Sequence, residues 1–190
     1  MQVYTRLLIL SLFILNGCGA TSPSTSLSSS SSSSSNEPIA VGQSVDELIA
    51  DIENKHPISY LLLAANLFNT GDKDQAVQWY YVGQMRFRAY LMANPDLDPS
   101  ADGALYTSFQ SVLGAPINEY AGADPDAWVT LIDNAITWHK HHPNGFTPKE
   151  QYPDIYAEIE AGFISFKEQV ASSKEAIRKQ RALNGLPNKQ

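Results

Sequence analysis

The densest group of candidate metal ligands in the sequence is the histidine-rich run from His139 to His142. His139 and His142 are three residues apart, so both would lie on one face of a helix. Zinc needs three or four ligands, and His56 is the only histidine outside this run. The alternative places His139 at the edge of the core, with His141 and His142 at a helix C-terminus, where positive charge is favoured. We adopt that alternative and predict no metal and no cofactor.

A loop rich in aspartate could bind calcium. Asp98, Ser100, Asp102 and Gly103 match the first half of an EF-hand loop. The twelfth position of such a loop needs a bidentate glutamate, and here it is Phe109. Because aspartate, proline and glycine also favour turns, we interpret this stretch as turn chemistry.

Catalytic motifs are missing from the sequence. It contains no Gly-x-Ser-x-Gly and no His-Glu-x-x-His, and its one cysteine, Cys18, lies near the N-terminus. A pair of carboxylates could still cleave a glycosidic bond, with Glu119 or Asp124 as a member. The commoner role of such residues is capping or hydrogen bonding. We predict no catalytic residue and keep an envelope hydrolase acting on peptidoglycan as an alternative.

Residues 1–17 have the pattern of a secretory signal peptide. Arg6 supplies a positive charge, and Leu7–Leu15 is apolar except for Ser11. This run is too short for a membrane-spanning helix, which needs about 20 residues.

The signal peptide ends in Leu15, Asn16, Gly17 and Cys18, which resemble a bacterial lipobox. The resemblance implies cleavage before Cys18, lipidation of Cys18 and attachment to the membrane through that lipid. Residue 19 is Gly rather than Asp, which resembles the signal for sorting to the outer membrane, facing the periplasm. A lone cysteine is otherwise a buried apolar residue or a free thiol, and the single cysteine excludes an intramolecular disulfide.

Residues 18–43 form a linker that contains an unbroken serine run, Ser28–Ser35. Such a composition cannot bury enough apolar surface to offset chain entropy, so we predict a disordered tether. About 25 residues of flexible chain have an r.m.s. reach of roughly 25–30 Å.

The folded part is predicted to surround an antiparallel helical hairpin. Its first helix begins at Pro57 and ends before Gly71, which suits the left-handed conformation that follows a helix. Its second helix begins at Asp72 or Asp74 and ends near Asn94. The hairpin resembles one tetratricopeptide or Sel1-like repeat in eight residues: Tyr60, Leu63, Ala64, Leu67, Gly71, Ala76, Tyr80 and Gly83. The resemblance implies protein binding rather than catalysis.

Further helices are predicted on both sides of the hairpin. Ser44 to Glu47 is a capping box that opens a short helix, and Asp124-Pro125 is a second helix start. We expect a helix over residues 104–113, ended by Gly114. Thr147 to Glu150 is another capping-box pattern, and a long helix follows over residues 154–182.

These patterns predict one all-α domain of about six to seven helices over residues 44–186, with residues 187–190 as a disordered tail. The chain of 190 residues carries a net charge of −7, which does not suit nucleic acid or anionic lipid. Trp79, Tyr81 and Arg86 are the candidate partner surface, because such residues favour interface hot spots when exposed.

The sequence thus predicts a lipid-anchored envelope lipoprotein that acts as a helical protein-interaction module. It would be an adaptor, an assembly factor or an immunity-type inhibitor of a periplasmic toxin. A purely structural lipoprotein remains open beside the hydrolase.

Overall fold

The computed structural model describes residues 42–189. Cys18, the predicted signal peptide and nearly all of the predicted linker lie outside this range. Seven α-helices form the described part, and no residue of it lies in a strand. Their bounds are α1 Val45–Ile49, α2 Ile58–Thr70, α3 Lys73–Ala93, α4 Ala104–Gly122, α5 Pro125–His141, α6 Pro153–Ser172 and α7 Lys174–Leu183. The predicted all-α class and the number of helices are confirmed. No helix in this range is long and apolar enough to cross a membrane.

The hairpin of α2 and α3 has the predicted limits. Gly71 follows α2 with φ 98°, in the left-handed region that glycine adopts at low cost. At Gly83 the two helices approach so closely that an added Cβ would lie 2.7 Å from Leu61 Cδ2. Asp72 stands at the start of α3, but its carboxylate accepts from Gln75 instead of capping the backbone.

Helix α3 is the centre of the domain. It packs against α2, α4, α5 and α6, and its buried residues run around its whole circumference. A helix covered on every side has no outer face, which explains why its apolar residues do not form a single stripe. The core therefore lies around α3 and is closed by the inner faces of its four neighbours.

Helix α4 is longer than predicted, because it continues through Gly114 and Pro116 to Gly122. Its buried residues Leu113, Ile117 and Ala121 recur at helical spacing on both sides of the proline. Tertiary packing therefore outweighs the local preference of glycine and proline for a helix end. There is little room for a side chain at Gly114, since an added Cβ would lie 3.0 Å from the Tyr80 hydroxyl.

Both helix starts before α1 and α5 are confirmed. The Glu47 carboxylate accepts from the Ser44 N–H at 2.7 Å, and Glu47 N–H donates back to Ser44 Oγ at 3.2 Å. The Ser44 N–H and the Ser44 hydroxyl both donate to the Glu47 carboxylate, which holds the pKa of Glu47 below its ordinary value. At α5, Asp124 Oδ1 accepts from the backbone of Asp126 and Ala127.

The prediction of a second capping box, from Thr147 to Glu150, is wrong. The chain forms a short 3₁₀ turn at Lys149–Gln151 instead, and α6 begins at Pro153. Thr147 N–H donates to Asn144 Oδ1, so the local bonds stabilise a loop rather than a helix start.

The C-terminal segment differs from the prediction in two ways. The long helix is interrupted at Ser173, between α6 and α7. The predicted disordered tail is wrong as far as Lys189, because Lys189 N–H donates to Ala123 O at 2.8 Å. Lys189 Nζ also lies 4.0 Å from the Tyr120 ring centroid, and Arg181 donates to Glu119 O at 2.8 Å. These polar contacts compensate for the scarcity of apolar residues in the tail.

Candidate functional site

The three residues predicted to form a partner surface are buried in the structure. Trp79, Tyr81 and Arg86 are only 8%, 2% and 1% exposed. All three lie on α3, which four neighbouring helices cover. The prediction failed because it treated their side of α3 as open to solvent.

Tyr81 and Trp79 have structural contacts. The Tyr81 hydroxyl donates to Asn118 Oδ1 at 2.9 Å and accepts from Trp128 Nε1 at 2.7 Å. Burial raises the pKa of Tyr81 far above its ordinary value. The Trp79 ring meets the Trp138 ring edge-on, with centroids 5.0 Å apart. Both residues therefore connect α3 to its neighbours and offer no chemistry to solvent.

Arg86 ties α3 to the end of α5. Its two terminal nitrogens donate to the carbonyls of His142 and Pro143, each at 2.9 Å. These carbonyls lie just past the C-terminus of α5, where the helix dipole is negative. The guanidinium carbon also lies 5.2 Å from the Trp138 ring centroid. Burial lowers the pKa of Arg86, and these contacts offset part of the cost of desolvating the charge.

His139 is fully buried beside Arg86. Neither ring nitrogen has a hydrogen-bond partner among the described residues, and the ring stacks on Tyr156 at 5.4 Å between centroids. Burial, reinforced by the charges of Arg86, Lys149 and Lys140, lowers the pKa of His139 to about 2. The ring is therefore neutral at physiological pH.

The other two histidines of the run lie on a shallow groove of about 360 Å³. His141 Nδ1 lies 2.8 Å from Thr137 O, and His142 Nδ1 lies 2.8 Å from Trp138 O. The His142 ring stacks on Trp138 with centroids 4.1 Å apart. His139 and His142 thus do not share a site, since one ring is in the core and the other lies on the groove. Among the described residues, no group of three or more histidine, cysteine, aspartate or glutamate side chains could hold a metal.

The two carboxylates considered for a hydrolase, Glu119 and Asp124, have different surroundings. Asp124 caps α5 with its side chain. Glu119 is exposed, and its backbone carbonyl accepts from Arg181. In the aspartate-rich loop, Asp98 Oδ1 accepts from Ser100 N–H at 2.8 Å, which is the turn chemistry that was predicted.

A histidine–aspartate contact escaped the sequence analysis. His56 Nε2 lies 3.5 Å from Asp102 Oδ1, and Tyr90 donates to the other carboxylate oxygen at 2.9 Å. Such a pair can position a general base. Here, however, His56 Nδ1 accepts from Ile58 N–H, so both ring nitrogens are engaged. Three aromatic rings also surround the imidazole, from Phe87, Tyr90 and Phe146. The contact joins the start of α2 to the loop before α4.

The outer face of α4 exposes apolar side chains and carries no charge. We use "α4 outer face" for six of the exposed residues of α4, which lie on one side of the helix: Ala104, Leu105, Ser108, Ser111, Val112 and Ala115. Leu105 is 38% exposed and Val112 is 54% exposed. Residues 103–118 contain no charged side chain, although 17% of the chain is charged. Leu105 and Val112 are thus apolar side chains exposed on a helix face that carries no charge.

Comparison with known proteins finds a relative over part of the chain. An uncharacterized protein of Haemophilus influenzae is 34% identical to this chain over 88 residues, which are 46% of this chain and 34% of the relative. The chain thus spans about a third of the length of the curated relative it matches. No family model matches the chain, and no solved structure matches it.

Proposed function

We propose that the chain is a lipid-anchored lipoprotein of the bacterial envelope whose helical domain binds protein. The lipobox-like residues ending at Cys18 support the anchor, and the serine-rich linker would hold the domain clear of the lipid. Sorting to the outer membrane, facing the periplasm, is part of this proposal. Whether the module serves as an adaptor, an assembly factor or an immunity-type inhibitor depends on the partner.

The observation that carries the binding function is the α4 outer face. Three of the residues considered first are engaged within the domain: Arg86 donates to the carbonyls of His142 and Pro143, Asp124 caps α5, and His139 is buried. By contrast, α4 exposes Leu105 and Val112 on an uncharged face. Apolar side chains in such a position gain free energy when a partner removes them from water. The likeness of the hairpin to a tetratricopeptide repeat also favours binding over catalysis.

A capture experiment with matched variants tests the function. An affinity tag is placed in the serine run Ser28–Ser35, outside the described domain, and the full chain is expressed with an untagged copy. Detergent extracts of the membranes are compared for wild type, Val112→Lys and Ser165→Lys. Ser165 is exposed in the middle of α6, so it controls for an added charge.

We expect one protein to be captured in constant proportion to wild type and Ser165→Lys and to be lost with Val112→Lys. A lysine on the α4 outer face would have to lose its hydration for the partner to bind. The proposed binding function is wrong if all three baits capture the same proteins in the same amounts. Loss of capture with both variants would also count against it, because the α4 outer face would then have no special role.

A further inference from the structure

Helix α7 is the one α-helix of the described chain without a buried residue. We use "C-terminal strap" for residues 174–189, which comprise α7 and the segment after it. Ile177 packs against the core but is only partly buried, and Leu183 is 71% exposed. Because most helices in proteins are stabilised by the burial of an apolar face, the C-terminal strap must be held in place mainly by other contacts.

Charged side chains provide one set of these contacts. The C-terminal strap contains five lysine or arginine residues and one acid, Glu175, although the whole chain has a net charge of −7. Asp126 on α5 accepts from Lys174 at 2.5 Å and from Arg178, and these bonds hold the pKa of the Asp126 carboxyl below its ordinary value. The Asp126 side chain is 60% exposed. Ion pairs as exposed as these contribute little to stability and weaken further in salt.

Polar contacts with the C-terminus of α4 hold the other end of the C-terminal strap. Arg181 donates to Glu119 O, and the backbone N–H of Lys189 donates to Ala123 O. The Lys189 ammonium group also lies over the Tyr120 ring. Carbonyls at a helix C-terminus carry the negative end of the helix dipole, which explains why cationic side chains lie there. Such contacts can be exchanged for water without exposing a large apolar surface.

Two atoms of the C-terminal strap make its closed position less favourable. Arg181 Nε and Asn188 Oδ1 are buried and have no hydrogen-bond partner among the described residues. A buried donor or acceptor without a partner costs free energy, and this cost disappears when the atom reaches water. The closed position therefore gains little from burial and loses part of that gain at these two atoms. Its free energy is close to that of an open position.

We propose that the C-terminal strap opens as one unit while the rest of the domain stays folded. Ser173 is the hinge, since α6 ends there, α7 begins there, and its backbone has non-helical angles of φ −106° and ψ 7°. Opening frees the carbonyls of Glu119 and Ala123 and removes Lys189 from the Tyr120 ring. The C-terminal strap thus controls access to a site for cationic groups at the end of α4. This inference does not depend on the α4 outer face or on the proposed binding function.

Amide hydrogen exchange of the full chain tests the opening. The protein is purified in detergent, and exchange is followed by mass spectrometry at about 0.02 M and about 0.5 M salt. Between these concentrations the Debye length falls from about 20 Å to about 4 Å, so exposed ion pairs are screened. Protection of residues 174–189, corrected for intrinsic exchange rates, is compared with that of α5 and α6.

Two variants identify the contact that holds the C-terminal strap. Asp126→Asn removes the charge that pairs with Lys174 and Arg178. Asp133→Asn is the matched control, because Asp133 also lies on α5, is 54% exposed and pairs with Lys167 on α6. Both substitutions remove one exposed carboxylate from the same helix, and only the first affects the C-terminal strap directly.

We expect residues 174–189 to exchange roughly tenfold faster than α5 and α6, by a similar factor along the segment, and faster still at high salt. At low salt, Asp126→Asn should accelerate this exchange roughly threefold and reduce its salt dependence, whereas Asp133→Asn should leave it unchanged. Exchange of the C-terminal strap at the same rate as α5 and α6 would overturn the proposal, because the domain would then open only as a whole. A steady increase in exchange from Lys174 to Lys189 would also overturn it, since that pattern is fraying of a chain end. Equal effects of the two substitutions would show that Asp126 does not hold the C-terminal strap and would overturn the proposal as well.

Discussion

Acidification from pH 7 to pH 4.5 is expected to destabilise the domain through His139. The pKa of His139 is about 2 in the folded protein, whereas the ordinary value for histidine is 6.5. Between these values the unfolded chain binds a proton that the folded chain does not. The free energy of unfolding should therefore fall as the pH drops below 6.5, by up to about 1.4 kcal/mol per pH unit. Aspartate and glutamate titrate mainly below pH 4.5. A change in the free energy of unfolding between pH 6.5 and 4.5 therefore reflects mainly histidine.

Replacing His139 with leucine should remove this pH dependence. Neither ring nitrogen is bonded within the described residues, so His139→Leu should not lower stability at pH 7.5. Urea unfolding between pH 7.5 and 4.5 provides the measurement. Ile132→Val is the matched control, because it alters another buried residue of α5 and should lower stability by about 1 kcal/mol without changing the slope. An unchanged slope in His139→Leu would show that His139 is not the buried neutral group described above.

Gly83→Ala is expected to lower the free energy of unfolding by about 1–3 kcal/mol, the usual cost of overpacking. The new Cβ would lie 2.7 Å from Leu61 Cδ2 and 3.1 Å from Tyr60 Cβ. Both neighbours are fully buried, and Tyr60 Cβ is fixed to the backbone, so α2 and α3 would have to move apart. Alanine favours a helix by about 1 kcal/mol over glycine, so destabilisation would show that packing outweighs this preference.

Gly162→Ala is the matched control for Gly83→Ala. Gly162 also lies inside a helix, but no atom lies within 4 Å of an added Cβ. It should therefore stabilise the domain by about 0.5–1 kcal/mol. Thermal unfolding measures the stability of both variants, and each kcal/mol of change should shift Tm by about 2–4 °C. Equal shifts of the same sign in the two variants would contradict the close contact between α2 and α3.

Local signals were sufficient where a strong stop or cap coincided with an apolar pattern. Gly71 ended α2 as predicted, and the caps at Ser44 and Asp124 began their helices. The hairpin was predictable because its two helices are adjacent in sequence and are separated by Gly71, a strong stop signal. In α6, Tyr156 and Phe163 are seven residues apart and both are buried, which is the spacing of one helix face.

Tertiary contacts decided the features that the sequence analysis missed. Helix α4 passes through Pro116 because residues on both sides of it pack on the core. The segment up to Lys189 is held by backbone and cation–aromatic contacts with residues far away in sequence, such as Ala123 and Tyr120. No local pattern encodes such contacts.

The candidate site was missed for a related reason. Tyr81 and Arg86 have the chemistry of interface residues, and only the three-dimensional packing shows that other helices already cover them. The exposed face of α4 has a sequence signal, a stretch from Gly103 to Asn118 without any charge. A helix that ended at Gly114, as the sequence predicted, would not carry the whole of this uncharged stretch on one continuous helix. An unbroken helix places Ser108, Val112 and Ala115 on the same outer face.

The proposed attachment of lipid to Cys18 is tested most directly by one comparison. Cells expressing the wild type or Cys18→Ala are labelled with a fatty acid analogue and fractionated into membrane and soluble parts. If Cys18 is lipidated, the wild type should carry the label, lose residues 1–17 and sediment with the membranes. Cys18→Ala should carry no label and keep its signal segment. An unlabelled wild type, or equal labelling of both proteins, would contradict the lipid anchor.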